Sequence, residues 1–353
     1  MAQIPALTSL RFAAAAYVVL FHATPVIGPL LPVPMARLIA GGYLAVPLFY
    51  ILSGFVLMLN YGPRFVAGRV GARAFFGARF ARIYPLYLLA SLWQAANLGL
   101  SAQASWSELA LPTLREVLMV QAWHLPWTSC TNGPGWSVSA EAFFYLLFPW
   151  LAPRVGRLAK NGAVCALVGA WLIGVAAIMI VSRAGVADHD LIYLPLAHFP
   201  AFVMGMLLAR VFELRAEPGG PLQTALARWL VPVSILSISL VLQRQLPFVL
   251  AATSLFLPLD ALLIWGLVCR SRTTDGSRFW GNPTLVWFGE ASYALYILQA
   301  PVADALHFST AHRLNGTWLR YPPYWAILWV TALVAYQLIE LPARSRLKRL
   351  AQV

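Results

Sequence analysis

The chain has 353 residues, of which 60% are hydrophobic and only 10% are charged. A water-soluble domain carries about 25% charged residues, so this composition excludes an ordinary soluble fold and indicates a membrane protein. The formal net charge of +13 would suggest nucleic-acid binding in a soluble chain, but the positive-inside rule explains it here, and we expect the lipid bilayer as a partner and no nucleic acid.

Apolar windows of about 20 residues, the length that spans a bilayer, recur along the chain. They lie at 8–27, 39–60, 83–100, 138–153, 161–182, 190–211, 226–243, 247–269, 284–306 and 322–341. No polar segment between them is long enough for a second domain, and none alternates like a strand. The sequence predicts an all-α, polytopic membrane protein with about ten transmembrane helices, a single domain over residues 1–353 and no appended extracytoplasmic domain.

The distribution of positive charge predicts the orientation. Cytoplasmic loops of membrane proteins are enriched in Lys and Arg. With the N-terminus inside, the inside loops and the C-terminal tail hold eighteen of the 25 Lys and Arg residues, and the outside loops hold six. We therefore expect both termini in the cytoplasm and a multi-pass protein of the cell's inner, cytoplasmic membrane.

The first window contains two costly side chains, Arg11 and His22, in the stretch RFAAAAYVVLFH. Ionisable groups inside a membrane usually face the bundle interior or a watery cavity. The eleven-residue spacing separates the two by roughly 16 Å along a helix and leaves them on nearly the same face. Snorkelling of Arg11 and a helix–helix hydrogen bond from His22 are the alternatives. The shared face favours one elongated ligand whose anionic part lies near the cytoplasm.

The second and third windows add a small-residue site and an arginine pair. Ser53 and Gly54 interrupt the bulky run in ILSGF, a pattern typical of close helix packing. Arg79 and Arg82, in RFARIYP, share one face at the start of a helix on the cytoplasmic side. They either anchor the helix at the interface or clamp phosphate, because guanidinium groups donate paired hydrogen bonds to phosphate oxygens.

The segment WSVSAE opens the fourth window with Trp136, Ser137, Ser139 and Glu141. We expect Glu141 near the outer end of its helix, at a depth similar to that of His22. It either benefits from the helix dipole or orients a catalytic imidazole, which needs a carboxylate or carbonyl on its second nitrogen.

Other polar residues lie in the later windows. Glu290, Tyr293 and Glu340 are expected near the cytoplasmic ends of helices nine and ten, where pairing of the acids with an inside arginine is the expected role. His198 is expected to be a satisfied histidine of the bundle. Asp260 is a further buried acid without an assigned role.

Six motifs in order resemble the membrane-bound acyltransferase-3 family along the whole chain. They are SLRF with a histidine ten intervening residues after the arginine, ILSGF, RFARIYP, WSVSAE, SYALY and IELP. Members of that family O-acylate sugars of surface polysaccharides, periplasmic glycans and some small molecules. They often carry a histidine shortly after the SYALY position, where this chain has Gln299, so His22 is the candidate base placed by a matched motif.

The resemblance implies a cytoplasmic acyl-CoA donor, with acetyl-CoA as the default, and a carbohydrate hydroxyl of a cell-surface or lipid-linked glycan as acceptor. His22 is then the expected general base or an acyl-carrying nucleophile, and Glu141 orients it. The phosphates of coenzyme A are expected on Arg11, Arg79 and Arg82.

Residues expected to line the substrate pocket are Ser53, Trp136, Ser137, Ser139 and Tyr293. No permanently bound cofactor and no metal site are expected, since the cysteines lack metal-ligand spacing. The alternative function is a transporter or flippase for an anionic substrate. The sequence does not predict the oligomeric state.

Overall fold

The computed structural model describes residues 4–124, 131–215, 248–270, 279–306 and 321–350. Throughout these ranges the regular elements are helical, which confirms the all-α prediction for this part of the chain. The seventh predicted window, 226–243, lies outside the described residues. The main helices are α1 (Pro5–His22), α2 (Val33–Ala40), α3 (Ala45–Val66), α4 (Ala72–Leu100), α5 (Trp106–Val117), α6 (Gly135–Gly156), α7 (Lys160–Arg183), α8 (Pro195–Glu213), α9 (Leu257–Arg270), α10 (Pro283–Glu290), α11 (Ser292–Ala305), α12 (Tyr321–Ala335) and α13 (Leu341–Leu350).

Six helical segments among the described residues are long and apolar enough to cross a membrane. They are Pro5–His22, Val33–Val66, Lys160–Arg183, Pro195–Glu213, Phe248–Cys269 and Pro322–Ser345. One of these segments, α7, exposes Leu172, Ile173 and Ile180, and such apolar surface is stable against lipid. The six segments indicate a multi-pass membrane protein. The count of ten spans and the location of the termini stay predictions.

The ninth predicted window is two helices, α10 and α11, which are divided at Ala291. At the break, the Ser292 hydroxyl donates to the Gly289 carbonyl oxygen at 2.7 Å, a local hydrogen bond of the kind that competes with a continuous helix. Gly289 lies directly on α1, since a Cβ there would be 2.0 Å from the Thr8 carbonyl oxygen. The break therefore lets a short helix press against the first helix.

Helices α3 and α8 also pack in direct backbone contact. A Cβ on Gly54 would lie 2.1 Å from the Phe202 carbonyl oxygen, and one on Gly205 would lie 2.1 Å from the Ile51 carbonyl oxygen. Two glycines thus let the backbones touch, as small residues do in membrane bundles. The close packing predicted at Gly54 is present.

Helix α1 lies inside the bundle and positions the candidate site. It packs against α3, α10 and α11, while α6 packs against α3, α4 and α8. The side chains that α1, α3, α4, α6 and α11 turn towards one another therefore surround a common interior.

The α3–α8 contact predicts a stability effect. Gly205→Ala should lower the melting temperature of the detergent-purified protein, because its methyl group meets a backbone oxygen that cannot rotate away, and overpacking of this kind costs about 1–3 kcal/mol. Tryptophan fluorescence during heating measures it. Gly169→Ala on α7 is the matched control, since a Cβ there meets no atom within 4 Å. Equal melting temperatures for the two variants would contradict the close contact.

Candidate active site

Four cavities follow α1 from its first turns to its last residue. The arginine cavity, of about 380 Å³, is lined by Arg11 and Arg82 among others. The central cavity, of about 110 Å³, is lined by Arg11 and Glu141. The histidine cavity, of about 400 Å³, and the side cavity, of about 450 Å³, are both lined by His22.

Neighbouring cavities share wall residues, so they form a series. The arginine and central cavities share three guanidinium groups, those of Arg11, Arg79 and Arg82. The central and histidine cavities share Val46 and Tyr296. The structure places Arg11 and His22, which the sequence predicted on one face of a helix, on successive cavities of this series.

The arginine cavity gathers positive charge from three helices. Arg11 comes from α1, Arg79 and Arg82 from α4, and Arg344 from α13. Arg82 is close enough to the other three to be repelled by each of them. Glu290 is an acid on the same wall, and its Oε2 accepts from the Tyr336 hydroxyl at 2.9 Å. The wall carries more positive than negative charge, as an anion site requires.

Two guanidinium nitrogens of the arginines in this cavity have no hydrogen-bond partner among the described residues. Arg79 Nη2 donates to the Tyr61 hydroxyl at 3.4 Å. The Nε atoms of Arg79 and Arg344 are buried, and no atom of the described residues accepts from them. Because buried polar groups are normally hydrogen-bonded, these donors fit an acceptor that the described residues do not supply.

Glu141 lies in the central cavity and is held by two hydroxyl groups. Its Oε1 accepts from Ser53 Oγ on α3 and from the Tyr145 hydroxyl, each at 2.6 Å. Glu141 is the leading opposite charge acting on Arg11. The carboxylate therefore balances the charge of Arg11.

His22 is the last residue of α1, and its tautomer follows from its contacts. Its Nδ1 lies 2.9 Å from the Val18 carbonyl oxygen. A carbonyl only accepts, so Nδ1 carries the ring proton and a neutral ring keeps its lone pair on Nε2. The side chain is exposed because it opens into both the histidine and the side cavities, with Gln299 beside it.

Glu141 was expected to orient His22, but in the structure the two side chains are not paired. The Val18 carbonyl contacts the imidazole Nδ1, whereas Glu141 lies beside Arg11 in the central cavity. The physical reason is that α6 begins at Gly135, which puts Glu141 six residues, or about 9 Å, into the helix. The start of the same motif, Trp136, is the part that reaches the histidine cavity.

Aromatic rings and a second imidazole surround Trp136. Its ring centroid lies 5.1 Å from that of Tyr193 and 5.5 Å from that of His198. The His198 Nε2 donates to the Ile192 carbonyl oxygen at 2.8 Å, and its buried Nδ1 has no partner among the described residues. His198 was expected to be a satisfied histidine of the bundle; one of its nitrogens is hydrogen-bonded, and the residue lines the histidine cavity.

The remaining pocket candidates separate into two groups. Ser53, Ser137 and Tyr293 line the central cavity, where Ser137 Oγ is 2.7 Å from the Tyr296 hydroxyl and Tyr293 donates to the Ile83 carbonyl oxygen at 2.9 Å. Ser139 donates to the Met119 carbonyl oxygen at 2.7 Å and lines none of the four cavities. Its contact ties α6 to the segment after α5.

Glu116 on α5 is a positioning residue that the sequence did not reveal. Its carboxylate accepts from Thr131 Oγ1 at 2.5 Å and from the Asn132 backbone N–H at 2.9 Å. Burial raises the pKa of Glu116, although these hydrogen bonds oppose the shift. Glu116 thereby fixes the segment whose next residues, Gly133 and Pro134, line both cavities at His22. Its local sequence signal is weak, because Glu116 stands beside Arg115 in a short helix that lies outside the predicted windows.

The family comparison agrees with the motif order. A family model described as an acyltransferase domain matches residues 4–340. Acyltransferase MdmB of Streptomyces mycarofaciens is 27% identical over 355 residues, which cover 92% of this chain and 84% of that protein. Protein 2 in the picA locus of Rhizobium radiobacter is 36% identical over 154 residues, 38% of this chain and 75% of that protein.

A third relative, the putative peptidoglycan O-acetyltransferase YrhL of Bacillus subtilis, is 23% identical over 343 residues. That match covers 87% of this chain and 51% of the relative. No solved structure matches the chain. The family match over nearly the whole length shows that the chain belongs to the acyltransferase-3 family, and acyl transfer is the class of reaction it catalyses.

Proposed function

We propose that this chain is an O-acyltransferase of the inner membrane that moves an acyl group, acetyl by default, from cytoplasmic acyl-CoA to a hydroxyl of a carbohydrate acceptor. The observation that carries the proposal is the series of cavities from Arg11 to His22. Coenzyme A has the matching form, with phosphates at one end, a thin pantetheine arm and a thioester at the other end.

The donor's phosphates fit the arginine cavity. Arg11, Arg79 and Arg82 present guanidinium groups to it, and the buried Arg79 Nε has no acceptor among the described residues. Charge-assisted hydrogen bonds to phosphate oxygens would satisfy these donors and relieve the repulsion among the arginines.

The pantetheine arm fits the central cavity, which is the smallest of the series. Its walls combine apolar side chains with hydroxyl groups, including those of Ser53 and Tyr293. In this role Glu141 is a positioning residue: it holds Ser53 and Tyr145 and balances Arg11, so that the wall beside the arm keeps one geometry.

At the far end, His22 is the general base. Its Nε2 takes the proton of the acceptor hydroxyl, and the oxygen attacks the thioester carbonyl carbon. The carbon–sulfur bond breaks, and the proton passes to the departing thiolate, which leaves as free coenzyme A. The Val18 carbonyl supplies the orienting contact that keeps Nε2 unprotonated at the start. Attack by Nε2 itself, through an acyl-histidine, uses the same geometry.

The histidine cavity suits a carbohydrate acceptor. Trp136 and Tyr193 offer aromatic surface, and the unpartnered His198 Nδ1 is a polar atom in the same wall. Pockets that combine aromatic walls with a few fixed polar groups bind and orient small ligands. The relative named as a peptidoglycan O-acetyltransferase supports a glycan hydroxyl as the acceptor class.

The role of His22 predicts that His22→Ala abolishes acyl transfer and leaves donor binding intact. Loss of a general base costs roughly 10²–10⁴-fold in rate. The measurement is O-acetylation of surface glycans by mass spectrometry in a deletion strain that expresses each variant, with coenzyme A binding to the purified protein by calorimetry. His124→Ala, at an exposed histidine outside the four cavities, is the matched control. Wild-type acetylation by a folded His22→Ala protein would exclude this assignment.

The position of Arg82 in the arginine cavity predicts how its removal changes coenzyme A binding. Arg82→Ala should weaken coenzyme A binding by about 10-fold or more, since a hydrogen bond to a charged group contributes about 1.5–3 kcal/mol. Calorimetry on the purified protein measures the dissociation constant. Arg73→Ala removes an exposed arginine of the same helix and should leave binding unchanged. Equal affinities for these two variants would remove Arg82 from the donor site.

Thiol release separates this function from transport of an anionic substrate through the same cavities. Purified wild-type protein mixed with acetyl-CoA and a glycan extract should release free coenzyme A thiol, and the glycan should gain acetyl groups. A transporter would move substrate without consuming the thioester, so unchanged acetyl-CoA together with vesicle uptake would support that alternative.

A further inference from the structure

Arg344 lies on α13, in the C-terminal part of the chain, and lines the arginine cavity. It follows a π-helical turn, Tyr336–Glu340, and α13 packs against α4, the helix of Arg79 and Arg82. Its Nη2 donates to Glu340, whose side chain is 0% exposed. The guanidinium lies 5.9 Å from the centroid of the Tyr336 ring. The side chain is thus fixed by an ion pair and an aromatic ring rather than extended into solvent.

The ion pair does not use all the donors of this guanidinium. Arg344 Nε is buried and has no hydrogen-bond acceptor among the described residues, although Arg344 lines the cavity. The charges of Arg11 and Arg82 repel it. A purely structural pair with Glu340 explains the Nη2 contact but neither the unpartnered Nε nor the placement beside other arginines.

The position of Arg344 along the series differs from that of the other arginines. Arg11, Arg79 and Arg82 line both the arginine and the central cavities, whereas Arg344 lines the arginine cavity and not the central one. A coenzyme A molecule whose thioester points to the centre presents its groups in a fixed order: pantetheine, diphosphate, and then the ribose with its 3′-phosphate. The three shared arginines match the diphosphate in this order.

We propose that Arg344 recognises the ribose 3′-phosphate of the donor and makes the enzyme selective for coenzyme A over thioester carriers that lack this phosphate. The inference rests on the proposed donor. In this role the planar guanidinium group of Arg344 donates hydrogen bonds to phosphate oxygens.

Dephospho-CoA, which lacks only the 3′-phosphate, tests the proposal. Dissociation constants for coenzyme A and dephospho-CoA are measured by calorimetry on the detergent-purified full chain. The variants are Arg344→Ala, Arg344→Lys, Arg82→Ala and the exposed control Arg73→Ala. We expect the wild type to bind coenzyme A at least 10-fold more tightly than dephospho-CoA. Arg344→Ala should lose most of that ratio by weakening coenzyme A alone, while Arg82→Ala weakens both ligands and Arg73→Ala weakens neither.

The comparison of two ligands within one variant also controls for folding. Unchanged dephospho-CoA binding shows that Arg344→Ala is folded. If that variant binds neither ligand, Arg344→Lys supplies the test, because it keeps the charge but loses the planar guanidinium group. Arg344→Lys should then show a reduced preference for coenzyme A over dephospho-CoA. Equal weakening of both ligands by the Arg344 variants, or an unchanged ratio, would overturn the proposal and leave the donor assignment standing. If the wild type binds neither ligand, the proposed donor fails and this inference fails with it.

Discussion

Four guanidinium groups line one cavity inside an apolar bundle and repel one another. The other charged groups of the site offset this repulsion. Charges in a medium of low dielectric interact strongly, so such a cluster requires opposite charges close by. Glu141 supplies one towards the centre, beside Arg11. Glu290, in the wall of the arginine cavity, and Glu340 supply others, and they are held by Tyr336 and Arg344 respectively.

Helix α1 fixes the position of the imidazole relative to this cluster of arginines. It carries Arg11 in its second turn and His22 at its end, and its rigidity fixes the distance between them. Packing of α10 through Gly289 and of α3 and α11 on its other sides holds that helix inside the bundle. A ligand that binds by its charge at one end is therefore presented to the imidazole at the other.

The sequence predicted the residues on α1 well because a single helix has a known rise and periodicity. Arg11 and His22 do lie along one series of cavities. Glu141 was placed wrongly because hydropathy does not reveal that α6 starts at Gly135. Arg344 could not be assigned to a cavity, because its position depends on the packing of α13 against α4, and local sequence carries no record of that contact.

The small central cavity has a consequence for the membrane itself. A series of cavities that reached both faces of a bilayer would let protons and cations leak and would dissipate the cell's ion gradients. The central cavity, of about 110 Å³, is the smallest of the four and has Arg11 in its wall, and fixed positive charge along a path repels cations and protons. The guanidinium groups that suit an anionic ligand therefore also oppose the passage of these ions.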